Sequence, residues 1–127
     1  MTRPQPFDPL TFLAIARALA MDSSNEGRLR TAIGRAYYGV FLVVRDWLGV
    51  HEHRDAHQRV LTELGNRNQQ GIGARLHDLR ALRMAADYQL VPHSAAMADW
   101  EQNWRDAEKQ VRWLVNRLQQ LGVLAPE

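Results

Sequence analysis

The segment from Met97 to Leu121 constrains this chain most. Met97, Trp100, Trp104, Ala107, Val111, Leu114, Leu118 and Leu121 follow one another at steps of 3, 4, 3, 4, 3, 4 and 3. On an α-helix that rhythm puts every one of them on the same side, as an apolar seam that another surface must cover. On a strand the same residues would scatter over both faces. In a chain of 127 residues the seam is expected to pack inside a helical bundle rather than in a freestanding coiled coil. Trp100 and Trp104 then belong to the interior and are not platforms for stacking bases.

The remaining sequence agrees with a bundle. Glycines and prolines punctuate helical segments, and no run shows the alternation of a half-buried strand. "FDPLTFLAIARALAM" predicts a first helix, capped by Asp8, with Pro9 at its first position and an end near Met21. A second starts with the capping box Ser23 to Glu26 and stops at Gly49, a natural left-handed terminus. Its core stripe is Leu29, Ile33, Ala36, Tyr37, Val40, Phe41, Val44, Trp47 and Leu48. Gly34 and Gly39 interrupt this helix at about 1 kcal/mol each relative to alanine, which points to close approach of another helix. "DAHQRVLTELG" predicts a short third helix, and "GNRNQQGIGAR" reads first as a flexible loop and second as an RNA-facing one. A fourth helix, "IGARLHDLRALRMAADYQL", buries Ile72, Leu76, Leu79, Ala86 and Leu90 and carries Arg80, Arg83 and Asp87 as an adjacent polar line. Val91 and Pro92 end it. The expected fold class is all-α: an up-down helical bundle of four to five helices in one domain, with its core over about residues 7–121.

Composition limits the chemistry. The chain has no cysteine, which excludes disulfides, thiolate metal sites and cysteine nucleophiles. No apolar run reaches the roughly 18 to 20 residues needed to span a bilayer, and the N-terminus has no signal-peptide core, so a cytoplasmic protein without membrane attachment is expected. The formal net charge is only +2, yet fifteen of the sixteen basic residues are arginine, the side chain suited to forked contacts with phosphate or carboxylate. From Arg28 to Arg83 there are ten arginines against five acids, so the basic part of the chain is its middle.

Two segments together carry a family resemblance. "RTAIGRAYYGVFLVVRDWLG" resembles the second-helix signature of HEPN (higher eukaryotes and prokaryotes nucleotide-binding) domains, in which a small residue, arginine, alanine and two tyrosines precede an aromatic. "LRMAADY" resembles that family's arginine, two residues, Ala-Asp-Tyr segment. The resemblance implies a four- to five-helix bundle that forms a two-fold homodimer. It also implies one of three tasks: a metal-independent endoribonuclease toxin, a catalytically silent module contacting RNA or a nucleotide, or a scaffold that docks a protein. Small prokaryotic relatives of this kind accompany a nucleotidyltransferase antitoxin or another defence protein. The ribonuclease branch carries an arginine, four to six residues of any kind, then a histidine. Here the fifth residue after Arg83 is Tyr88, His93 lies beyond Pro92, and His77 precedes the arginine. The departure favours a non-catalytic or weakly catalytic member, because a tyrosine titrating near pH 10 is a poor base.

The candidate residues follow. Arg83, Tyr88, His77 and His93 are the candidates for catalysis; Arg35, Tyr38, Arg80, Arg83, Asp87 and Tyr88 are the candidates for contact with RNA, a nucleotide or a partner. Arg83 and Asp87, one helical turn apart, also make an ordinary surface pair worth about 0.2 to 0.5 kcal/mol. Tyr37 is expected in the core, and Tyr38 at an interface. Tyr88 is a possible target for AMP transfer by analogy with the toxin branch. His51, His53 and His57 read as solvated turn histidines rather than a metal site, and no cofactor is expected.

Overall fold

The computed structural model describes residues 6–92 and 96–126, and every regular element among them is helical. Five α-helices form the bundle: α1 Thr11–Ala20, α2 Glu26–Leu48, α3 Ala56–Asn66, α4 Gln70–Tyr88 and α5 Trp100–Gln120, with a 3-10 turn Ala96–Ala98 before the last. No described helix is long and apolar enough to cross a membrane.

α2 is the central rod and packs against each of the other four α-helices. Its expected stripe is buried from Leu29 to Val44 and at Leu48, while Trp47 stays half-buried. Opposite it stands the seam of α5, where Trp100, Ala107, Val111, Leu114 and Leu118 are buried and Trp104 and Leu121 half-buried. Between Ala36 and Val44 α2 is apolar nearly all round, so that stretch can face several neighbours at once, while Arg28, Thr31, Arg35 and Asp46 stay exposed.

Gly39 explains how closely α1 approaches. A Cβ there would lie 3.1 Å from Leu13 Cδ2 and 3.2 Å from the Pro9 carbonyl oxygen, so only glycine leaves room for the start of α1. At Gly34 a Cβ would meet nothing nearer than Asp87 Oδ1 at 3.7 Å, and no tight packing requires a glycine there.

The helix ends correct several expectations. Asp8 does accept from the Leu10 N–H at 3.0 Å, but the regular helix begins at Thr11. α2 is capped by Asn25, whose side chain accepts from the Arg28 N–H at 3.1 Å, and not by Ser23. The reason is local: Asp22 already holds Ser24 through both its N–H and its hydroxyl, which fixes a turn that delivers Asn25 to the cap. Gly49 ends α2 in the left-handed conformation at φ 72°, as expected. The loop expected over residues 65–75 shrinks to residues 67–69, since Gly65 lies in α3 and Gly71 and Gly73 lie in α4. A Cβ at Gly71 would lie 3.4 Å from Trp113 and one at Gly73 3.5 Å from Leu61, ordinary contact distances, and one at Gly65 would meet nothing within 4 Å. Leu90, expected on the buried face, lies beyond the end of α4 and is 90% exposed.

Candidate functional site

The polar line of α4 faces α2 and α3 across an open cleft of about 500 Å³. Tyr37 and Phe41, one turn apart on α2, stack with ring centroids 5.3 Å apart and form its apolar wall. Around them stand Arg45 from α2, His57 from α3, and His77, Arg80 and Arg83 from α4. Asp55 is the one carboxylate in this lining. The spacing on α4 produces the alignment, since His77, Arg80 and Arg83 are three residues apart and recur on one face.

Arg83 is largely enclosed, with a side chain only 16% exposed. Its Nη2 donates to the Tyr38 hydroxyl and its Nη1 to Met84 Sδ at 3.1 Å. The guanidinium lies over the Tyr38 ring at 5.1 Å and the Tyr37 ring at 5.8 Å. Its Nε is 3.5 Å from Asp87 Oδ2, an ion pair whose angle is too poor for a hydrogen bond. Burial opposes the charge, but the Tyr38 hydroxyl and Asp87 outweigh it and hold Arg83 above its ordinary range. Arg83 is therefore a structural tie between α4 and α2 as well as a charge at the cleft. Arg45 is likewise engaged, donating to the carbonyls of Val50 at 2.8 Å and His51 at 3.2 Å. Arg80 differs: among the described residues no carboxylate lies within ion-pair distance of it, and it lines the cleft half-exposed.

The histidines also differ from expectation. His57 is not a solvated turn residue: it is half-buried, and its Nδ1 is 2.7 Å from the Tyr37 hydroxyl. Its ring lies 5.8 Å from that of His77, centroid to centroid. Burial, followed by the charges of Arg80, His77 and Arg83, pushes His57 down to about 4, so its imidazole is neutral at pH 7. Burial also pushes the Tyr37 hydroxyl up, against the pull of Arg80 and Arg83. The Tyr37 hydroxyl and Nδ1 share one hydrogen bond, in which either can donate, and Nε2 is buried without a partner among the described residues. His51 lies outside the cleft lining, whereas His53 belongs to it. Among the described residues no three His, Asp or Glu side chains gather into a set able to hold a metal ion.

The structure brings His77, Arg80, Arg83 and Tyr38 together. Arg35 and Asp87 lie on the other side of Tyr38, in a neighbouring hollow of about 350 Å³. Tyr88 lines neither and is 69% exposed, and His93 falls outside the described residues. Tyr37 is buried and Tyr38 half-buried against Arg83. Sequence reasoning missed His57 and Arg45. For His57 a signal existed, because Val60, Leu61 and Leu64 follow it at helical spacing and place it on the inward face of α3.

No protein-family model, no curated protein and no solved structure matches this chain.

Proposed function

We propose that this chain is a HEPN-like helical module that seats the phosphodiester backbone of RNA in the cleft between α2, α3 and α4. The observation that carries the reading is the lining itself, in which Arg80, Arg83 and Arg45 stand with His57 and His77 against one carboxylate, Asp55. Such a hollow attracts an anion, and Arg80 supplies a guanidinium that no acid of the described residues neutralises. Tyr37 and Phe41, both buried, close the bottom of the hollow. In this reading the protein acts as a homodimer within a toxin–antitoxin or defence pair, with a nucleotidyltransferase or another defence protein as partner. Met84, Tyr88, Leu90 and Val91, exposed apolar side chains near the end of α4, support a contact surface there.

Binding without cleavage fits the chemistry better than cutting. A general base works best near the operating pH, and His57 at about 4 is a weak one. The Tyr37 hydroxyl keeps its proton, and Arg83 is tied to Tyr38. A second reading, a metal-independent endoribonuclease, has one specific observation in its favour: His77 shares the cleft with Arg83 and lies beside the His57 ring.

One experiment separates them. Wild type and Arg80→Gln are incubated with labelled RNA, with and without EDTA, and both retained RNA and fragment ends are read. The binding reading expects retained, intact RNA, weakened by Arg80→Gln with a salt slope smaller by about 0.7. EDTA-resistant fragments ending in 2′,3′-cyclic phosphate would replace it with the nuclease reading. Absence of both retention and cleavage would leave a protein-docking scaffold.

A further inference from the structure

Tyr38 is the wall between two hollows, not the edge of one. It lines the cleft of α2, α3 and α4 on one side and the hollow between α2 and the last turn of α4 on the other. Resting on the reading that the first cleft takes RNA, we infer that the second hollow is a further phosphate subsite. The ligand is then a single strand that crosses the Tyr38 ridge, rather than a mononucleotide or a duplex.

Three features of the second hollow carry this. Arg35 lines it exposed to solvent, its guanidinium 5.4 Å from the Phe12 ring centroid, with no carboxylate of the described residues within ion-pair distance. Arg30, by contrast, is occupied: it donates to the Ala86 carbonyl at 3.3 Å, lies 4.2 Å above Trp100 and pairs with Glu26. Asp87 is the one acid in the lining; its Oδ2 lies 3.5 Å from Arg83 Nε, and its Oδ1 stands over the Gly34 floor. The floor is built by Gly27 and Gly34. Neither is demanded by packing, since a Cβ would meet its nearest neighbour at 3.4 Å and 3.7 Å respectively. Gly34, in the interior of α2, costs about 1 kcal/mol relative to alanine with no close neighbour to accommodate, and leaves the floor open.

Dimensions and depth select the ligand. Arg80 and Asp87, which line one hollow each, are seven residues apart on α4, about 10 Å at 1.5 Å per residue, so the two hollows open at different heights along the helix. The central cation, Arg83, is recessed to 16% exposure. A duplex holds its phosphates on a convex, stiff surface, whereas a single strand can fold its backbone down on each side of a ridge.

The test is fluorescence anisotropy of the full chain with labelled oligouridylates of roughly 2 to 12 nucleotides and a hairpin of equal length. Wild type is compared with Arg35→Gln, which removes the charge, and Gly34→Leu, which fills the floor; melting curves report whether each variant is folded. Wild type is expected to gain affinity with length. Each variant should reduce the gain between the shortest and longest strand about fivefold, equivalent to ~1 kcal/mol at 25 °C. Arg35→Gln should also lower the salt slope on the longest strand by about 0.7. If Arg35→Gln keeps the wild-type length dependence while wild type binds RNA, the second subsite is refuted and the first cleft stands. If the hairpin binds as tightly as the strand, the single-strand assignment is refuted. If wild type binds no RNA of any length, the reading beneath the inference falls with it.

Discussion

Replacing Arg83 measures how much of the cleft's central cation belongs to the fold. Arg83→Met keeps an unbranched apolar stem against Tyr37 and Tyr38 but removes the charge. The hydrogen bond to the Tyr38 hydroxyl and the pair with Asp87 are lost, together with the weaker contacts to Met84 Sδ and the two tyrosine rings. A hydrogen bond to a charged group contributes about 1.5 to 3 kcal/mol. The Asp87 pair adds about 0.2 to 0.5 kcal/mol, toward the low end because the arginine precedes the acid. Tyr38 is half-buried, so water can reach its hydroxyl once Arg83 is gone, which keeps the total near the lower bound. We expect a loss of about 2 kcal/mol. An unfolding entropy of about 2.1 cal/mol/K per residue over this chain length amounts to about 0.27 kcal/mol/K, so Tm should fall by about 7 °C.

The clean assay is a double-mutant cycle with Tyr38→Phe, followed by circular dichroism in urea and on heating. Because both single variants break the same bond, the double variant should be about 1 to 1.5 kcal/mol more stable than the sum of the single losses predicts. Losses that add within about 0.3 to 0.5 kcal/mol would refute the tie between Arg83 and Tyr38.

The other predictions concern the ends and middle of the helices and the acid limb. Gly39→Val should destabilise by about 1 to 3 kcal/mol through the clash with Leu13 and Pro9. Gly65→Ala, with nothing within 4 Å of its new Cβ, should stabilise by about 0.5 to 1 kcal/mol; urea midpoints that move together would refute the packing argument. Asn25→Ala should cost about 1 kcal/mol and Ser23→Ala almost nothing, again read from urea midpoints. His57 is held at about 4 in the fold against 6.5 unfolded, so the unfolded chain binds more protons between those values. Its contribution is therefore complete above about pH 6.5 and is lost as the pH falls toward 4. His57→Phe should flatten that part of the stability–pH curve, and an unchanged curve would show that His57 is as accessible to protons folded as unfolded.

Much of the bundle could be read from the chain because its helices are marked twice, by apolar spacing inside and by glycine, proline or a capping side chain at the ends. The seam of α5 and the stripe of α2 needed no tertiary information. The errors arose where one residue type serves two physical purposes. Gly65, Gly71 and Gly73 fall in the segment expected as a loop, yet all three lie in helices, and a Cβ would meet no neighbour nearer than 3.4 Å at any of them. Leu90 continued the apolar rhythm but falls after the chain has left α4. Ser23 satisfied a capping pattern that Asn25 satisfies in fact, once Asp22 has bent the chain.

The site was legible to the same extent, along one helix and no further. Spacing alone aligns His77, Arg80 and Arg83, but nothing in the spacing tells that Tyr37 reaches His57 twenty residues away, or that Tyr38 closes on Arg83. These cross-helix contacts divide the arginines by task. Arg83 and Arg45 have partners within the fold, so their charge is fixed in place and already partly used. Arg80 and Arg35, without acid partners among the described residues, stand on opposite sides of Tyr38. An anion gains most from a cation whose hydrogen-bond donors are unspent. Arg83 therefore holds the ridge together, and in the proposed reading it is Arg80 and Arg35, on either side of it, whose unspent donors meet the ligand.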